Sequence, residues 1–229
     1  MIEFLFLDLD DTILDFHKAE HIAVRKAISE AGVEATDEVC ARYSQINLMH
    51  WQMLERGEIT REQVLVNRFG VLFEEMGHKV DPVSVARNYE RLLGIGHYFL
   101  PGAEDTVKKV LFGNYRMFLA SNGTASVQHS RLTSADLYPY FEQVFVSQEI
   151  GFNKPSREYF DGCFARIPGF DPEKALMVGD SLTSDILGGI NAGLRTCWVN
   201  PKGKPNGTDI HPDFEIRSIT ELPELLETL

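Results

Sequence analysis

The chain has 229 residues, 44% of them hydrophobic and 24% charged, with 22 Lys and Arg against 34 Asp and Glu for a formal charge of −12. That length holds one large domain or two smaller ones around a sizeable core. A surface this acidic repels nucleic-acid polymers and anionic membranes, so an anionic substrate requires positive charge gathered locally in its site.

Residues 4–9, Phe-Leu-Phe-Leu-Asp-Leu, read as a buried strand because they are short, apolar and followed at once by polar turn residues. The start has no basic flank and no small-residue cleavage site, so it does not read as a signal peptide. No run approaches the length of a membrane span. Residues 16–96 change character and show helical spacing. Val39, Tyr43, Ile46, Met49 and Met53 recur every three or four residues, on one helix face. Gly32, Gly57 and Gly77 punctuate the segment, and Asp81-Pro82 reads as a helix start. The segment is expected to form about four helices.

Past Pro101-Gly102 the pattern alternates. Strands are expected at 115–120, 144–147, 175–179, 196–200 and 213–216, and helices at 126–137, 156–166, 184–192 and 219–226. Such alternation predicts an α/β fold, a Rossmann-like mostly parallel sheet with helices on both faces. The expected organisation is an α/β core of residues 1–15 and 97–229, interrupted by an all-helical insertion of residues 16–96. The three cysteines, Cys40, Cys163 and Cys197, form no CxxC pair and read as reduced thiols of a cytoplasmic protein.

Four polar clusters fall at the ends of expected strands. Asp8-Leu-Asp-Asp-Thr12 follows the first, and alternation along an extended chain turns Asp8 and Asp10 to one side. Two close carboxylates destabilise each other unless a proton or a cation intervenes, and a hard cation such as Mg²⁺ suits oxygen ligands. Ser121-Asn122-Gly123 supplies short donors beside a flexible glycine, as a bound phosphate requires. Lys154-Pro155 brings a point charge, and Gly179-Asp180 with Asp185 brings more carboxylates. Taken singly, each cluster reads as well as a helix cap, a turn or a solvated lysine. Jointly they meet at one edge of the sheet, where open α/β sheets bind ligands.

In this order, Asp8-Leu-Asp-Asp-Thr12, Ser121-Asn122-Gly123, Lys154-Pro155 and Gly179-Asp180…Asp185 resemble the four motifs of the haloacid dehalogenase (HAD) superfamily. The insertion between the first two resembles that superfamily's helical C1 cap. The resemblance implies that Asp8 attacks phosphorus and forms an aspartyl-phosphate, with Asp10 as acid and then base. It implies that Thr12, Ser121 and the Asn122 amide hold the phosphoryl oxygens, while Lys154 offsets their charge. Mg²⁺ is then expected on Asp8, the Asp10 carbonyl and Asp180, with Asp185 bound directly or through water. Dehalogenases of the superfamily lack the second Asp of the first motif, so Asp10 favours phosphoryl chemistry.

Within the superfamily, Asn47-Leu-Met-His-Trp51, Gly57-Glu-Ile-Thr60, Arg68-Phe69 and residues 185–193 are most similar to house-cleaning pyrimidine nucleotidases. The expected substrate is therefore a small phosphate ester, a pyrimidine nucleoside monophosphate, turned over by a monomer or homodimer. Trp51, Phe69, Tyr98 and Phe16 are candidates to stack on the base, and Arg68 to touch the substrate. Trp51 and Phe69 equally suit the core of the cap, and Arg68 a surface ion pair. His17 and His21 read as part of a solvated first turn, and Gly96 as part of the cap hinge. A sugar phosphate or phosphoglycolate is the alternative substrate, and a non-catalytic phosphate-binding module the alternative of another class.

Overall fold

The computed structural model describes residues 1–111, 113 and 115–229. Two compact units form, one from Met1–Asp15 with Tyr98–Leu229 and one from Phe16–His97. The first unit is built on β1 (Phe4–Leu7), β2 (Arg116–Ser121), β3 (Gln143–Val146), β4 (Ala175–Gly179), β5 (Arg195–Val199) and β6 (Phe214–Ile216). They form one parallel sheet in the order β3-β2-β1-β4-β5-β6. This is the expected Rossmann-like α/β fold.

The strands are apolar throughout because helices cover both faces. Alternation sends Leu5, Leu7, Met117, Leu119, Leu176 and Val178 to one side, against α5 (Ala103–Leu111), α6 (Ala125–Ser134) and α10 (Leu222–Glu227). Phe4, Phe6, Phe118, Ala120 and Met177 go to the other side, against α8 (Arg157–Phe164) and α9 (Leu187–Ala192). A short helix, α7 (Ser147–Ile150), closes the turn after β3. Neither α5 nor α7 is foreseen in the sequence pattern. The first is only nine residues long, and the second is one turn long. The expected helix at 184–192 begins instead as a π-turn, Leu182–Ile186, which runs into α9.

The second unit is a bundle of α1 (Phe16–Glu30), α2 (Asp37–Glu55), α3 (Arg61–Glu75) and α4 (Pro82–Leu93), in which α1 packs on α4, and α3 packs on α2 and α4. Its helix starts are written locally. Asp81 caps α4 through the amides of Val83 and Ser84, with Pro82 first in the helix. Thr60 and Gln63 form a reciprocal capping box on α3. The core holds Tyr43, Phe69 and Tyr89 with ring centroids 4.8–5.5 Å apart.

The buried stripe of α2 differs from the one expected. It is Cys40, Tyr43, Ile46, Asn47, His50 and Leu54, while Met49 lies exposed. Reading hydropathy alone passes over polar residues that the interior uses. Asn47 is one of them. Its amide donates to buried Glu20 at 2.6 Å and its oxygen accepts from buried Arg68 at 2.8 Å. Gly96 is closely packed, since a Cβ there would stand 2.8 Å from the Ala19 Cβ. No helix among the described residues is long and apolar enough to cross a membrane.

Candidate active site

Strand order reverses at β1, whose neighbours β2 and β4 lead away in opposite directions. The carboxyl ends of these strands border the crevice that such sheets use for ligands. Asp8 follows β1 there, its amide donating to Val178 O at 2.9 Å, so the β1–β4 ladder fixes its backbone. The chain then turns back on itself, with the amides of Ile13 and Leu14 both donating to Leu9 O. That turn buries Thr12, whose hydroxyl finds no partner among the described residues. An orphaned buried hydroxyl is costly unless a ligand completes it.

Lys154 stands at the centre, 1% exposed. Its ammonium donates to Asp8 Oδ1 at 2.7 Å, to Asp185 Oδ1 at 2.7 Å and to Ala120 O at 2.6 Å. All three ammonium protons are thereby committed. Burial alone works to lower the Lys154 pKa. Asp185 and Asp8 overrule it and hold the pKa above the usual lysine range. The loop that carries Lys154 is clamped by Asn122, whose side chain donates to Lys154 O at 2.8 Å and accepts from Lys154 N at 2.9 Å. Both polar atoms of the Asn122 side chain therefore clamp this loop.

Asp8, Asp180 and Asp185 each bring one carboxylate oxygen within 4.8 Å of the others. Ser181 N steadies Asp185 Oδ2 at 3.1 Å, and the Trp198 indole holds the Asp180 carbonyl at 2.8 Å. Burial pushes Asp8 up to about 8, aided by Asp185 and Asp10 against the pull of Lys154. Asp180 is likewise held well above the usual carboxylate range, first by burial and then by Asp185 and Asp8. Three carboxylates facing one ammonium leave an excess of negative charge if all are ionised. An all-oxygen donor set of this charge fits a hard divalent cation.

The Asp10 carboxylate is engaged elsewhere. It is held by two residues of α6 that no motif flagged, Gln128 and Arg131. Their only trace in the sequence is polarity on a helix face shared with apolar Val127 and Leu132. Ser121, at the end of β2, lies in the same network.

The helical unit sorts its candidates differently. Phe69 is fully buried in the aromatic core, and Arg68 lies among Tyr43, Phe69 and Tyr89 with its carbon 4.8 Å from the Tyr89 ring. As placed, neither offers a free face to a ligand. At both positions a large aromatic or a long side chain fills the bundle interior. Trp51 is half-buried, with the Arg61 guanidinium 5.5 Å from its ring. His17 and His21 are exposed on α1.

A family model described as haloacid dehalogenase-like hydrolase matches residues 2–193. The chain is 36% identical to the pyrimidine 5′-nucleotidase PynA of Streptococcus pneumoniae, over 98% of this chain and 95% of that protein. It is 31% identical to the pyrimidine 5′-nucleotidase YjjG of Escherichia coli, over 98% and 97% respectively. The crystal structure of the HAD-hydrolase YfnB from Bacillus subtilis, bound to magnesium, superposes with a TM-score of 0.93 at 39% identity, covering 99% of both chains.

Proposed function

This chain belongs to the haloacid dehalogenase-like hydrolase family, and from that premise we propose that it hydrolyses pyrimidine nucleoside monophosphates through a phosphorylated Asp8. The observation that carries the reaction is the convergence of Asp8, Lys154 and Asp185 with Asp180 at one sheet edge. The choice of ester is supported by the near full-length similarity to two pyrimidine 5′-nucleotidases.

Asp8 attacks phosphorus, and the bond from phosphorus to the ester oxygen breaks. Asp10 gives its proton to that departing oxygen. Water then attacks the phosphorus of the aspartyl-phosphate and gives a proton to Asp10, so phosphate leaves and both carboxyl groups are restored. Lys154 holds Asp8 in place and offsets the charge that builds as phosphate approaches. Thr12, Ser121 and the Asn122 amide donate to the phosphoryl oxygens, the first with a hydroxyl that has no other partner among the described residues. Asp8, the Asp10 carbonyl, Asp180 and Asp185 would hold Mg²⁺, which when bound neutralises carboxylate and phosphoryl charge. Trp51 is proposed as a contact to the nucleoside.

The test is phosphate release with Mg²⁺ across nucleoside monophosphates, sugar phosphates and phosphoglycolate, with EDTA as control. The reading expects metal-dependent release that is fastest on pyrimidine monophosphates and abolished in a folded Asp8→Asn protein. Preference for another ester keeps Asp8 and discards the nucleotide. Activity retained in Asp8→Asn discards the nucleophile.

A further inference from the structure

The buried face of α6 carries two polar residues one helical turn apart, Gln128 and Arg131. Arg131 has no exposed surface, and a buried guanidinium needs an anionic partner. That partner is Asp10, whose Oδ1 accepts from Arg131 Nη1. The same Nη1 donates to Gln128 Oε1 at 3.1 Å. With its oxygen turned to Arg131, the Gln128 amide presents Nε2 to the opposite side. There it donates to Asp10 Oδ2 at 2.7 Å and to Ser121 Oγ at 2.7 Å. The reverse orientation would set the amide oxygen against the Asp10 carboxylate, so charge selects the one observed. Ser121 Oγ also accepts from the Gly123 amide at 3.1 Å. A hydroxyl that accepts twice has its own proton left to give.

We propose that Gln128 and Arg131 are positioning residues that lock the Asp10 carboxylate and the Ser121 hydroxyl into one hydrogen-bonded unit. The proposal rests on the reaction assigned above, with Asp10 as proton donor to the leaving oxygen and Ser121 as donor to the phosphoryl group. The unit holds the group that protonates the leaving oxygen at a set distance from the group that grips phosphate. Of the two bonds to Asp10, that from the neutral amide is weaker than the charge-assisted one from Arg131. Oδ2 is therefore the oxygen that gives up the Gln128 bond, carries the acid proton and meets the leaving group, while Arg131 is the pivot that keeps its hold on Oδ1. Gly123 belongs to the same unit, because a Cβ there would stand 2.6 Å from the Gln128 Cδ.

The experiment is single-turnover release of the leaving group, with Mg²⁺, from a pyrimidine nucleoside monophosphate and from 4-nitrophenyl phosphate. A nucleoside alkoxide needs a proton to depart and 4-nitrophenolate does not. In Gln128→Met and Arg131→Met, nucleoside release is expected to slow by about 100-fold or more, and 4-nitrophenolate release by less than about 10-fold, the scale of general-acid catalysis. Arg131→Lys should recover part of the difference. Equal slowing of both substrates, or wild-type rates on both, overturns the proposal. Should the charge left by Arg131→Met unfold the protein, Gln128→Met and Gly123→Ala carry the same comparison. A wild-type protein that releases neither group, or an Asp10→Asn protein without leaving-group dependence, overturns the assigned reaction itself. Leaving-group dependence in Asp10→Asn but not in Gln128→Met overturns this proposal alone.

Discussion

Asp8 illustrates how burial shapes a single carboxyl group. Its ordinary value is 3.8 and the folded protein holds it near 8. Without metal, the folded chain keeps a proton that the unfolded chain releases, so stability is highest below the unfolded value and declines as pH rises from about 4 to about 8. In EDTA, the urea midpoint should fall across that window, and Asp8→Asn should reduce the slope, leaving the part that Asp180 contributes. A slope unchanged in Asp8→Asn would show that another group titrates. Lys154 makes the converse case. Removing it leaves Asp8 and Asp185 facing each other in the interior without their cation. Breaking a buried pair from one side costs about 3–5 kcal/mol, so Lys154→Met should lower the unfolding free energy by about that much. These residues were legible in the sequence because motif order and strand ends point to them. Gln128 and Arg131 were not. Nothing local distinguishes a polar residue on a buried helix face from one on a solvated face until the tertiary partner, here Asp10, is known.

At the scale of elements, α9 shows why strands and helices meet at small residues. A Cβ on Gly189 would stand 2.7 Å from the Thr196 Cγ2 of β5 and 3.1 Å from the Met177 Cβ of β4. Gly189→Ala must therefore push α9 off the sheet. Overpacking of this kind costs about 1–3 kcal/mol, to be read from chemical denaturation. Because α9 follows the loop of Asp180 and Asp185, the same variant should also weaken Mg²⁺ binding in a titration. The sheet strands were readable because each is a short apolar run between turn signals. The buried stripe of α2 was misjudged, because Asn47 and His50 sit inside on hydrogen bonds that hydropathy does not weigh. Arg68 and Phe69 lie in the same interior. Their place is set by what α2 and α4 bring against them.

At the scale of the molecule, each unit has its own interior. The helical unit closes around Tyr43, Phe69, Phe73 and Tyr89, and its termini lie close, Gly96 touching Ala19. A segment with a private core and adjacent ends meets the conditions for independent folding. Residues 16–97 expressed alone are expected to give a helical circular dichroism spectrum and a cooperative thermal transition. A non-cooperative melt would show that this bundle depends on the rest of the chain. The division into a sheet unit and a helical unit was visible as a change in periodicity, from period-three-and-four spacing to alternating strand and helix patterns.

The bridge between Leu14 and Phe99, with the Asp15 amide donating to Tyr98 O at 2.7 Å, sets the outgoing and returning chain side by side where the helical unit is inserted. That pair works as a socket. Any insert whose two ends lie equally close can be plugged into it without altering the spacing of Asp8, Lys154 and Asp185. Lineages and engineers alike can thus exchange the helical insert while leaving the arrangement at the sheet edge untouched.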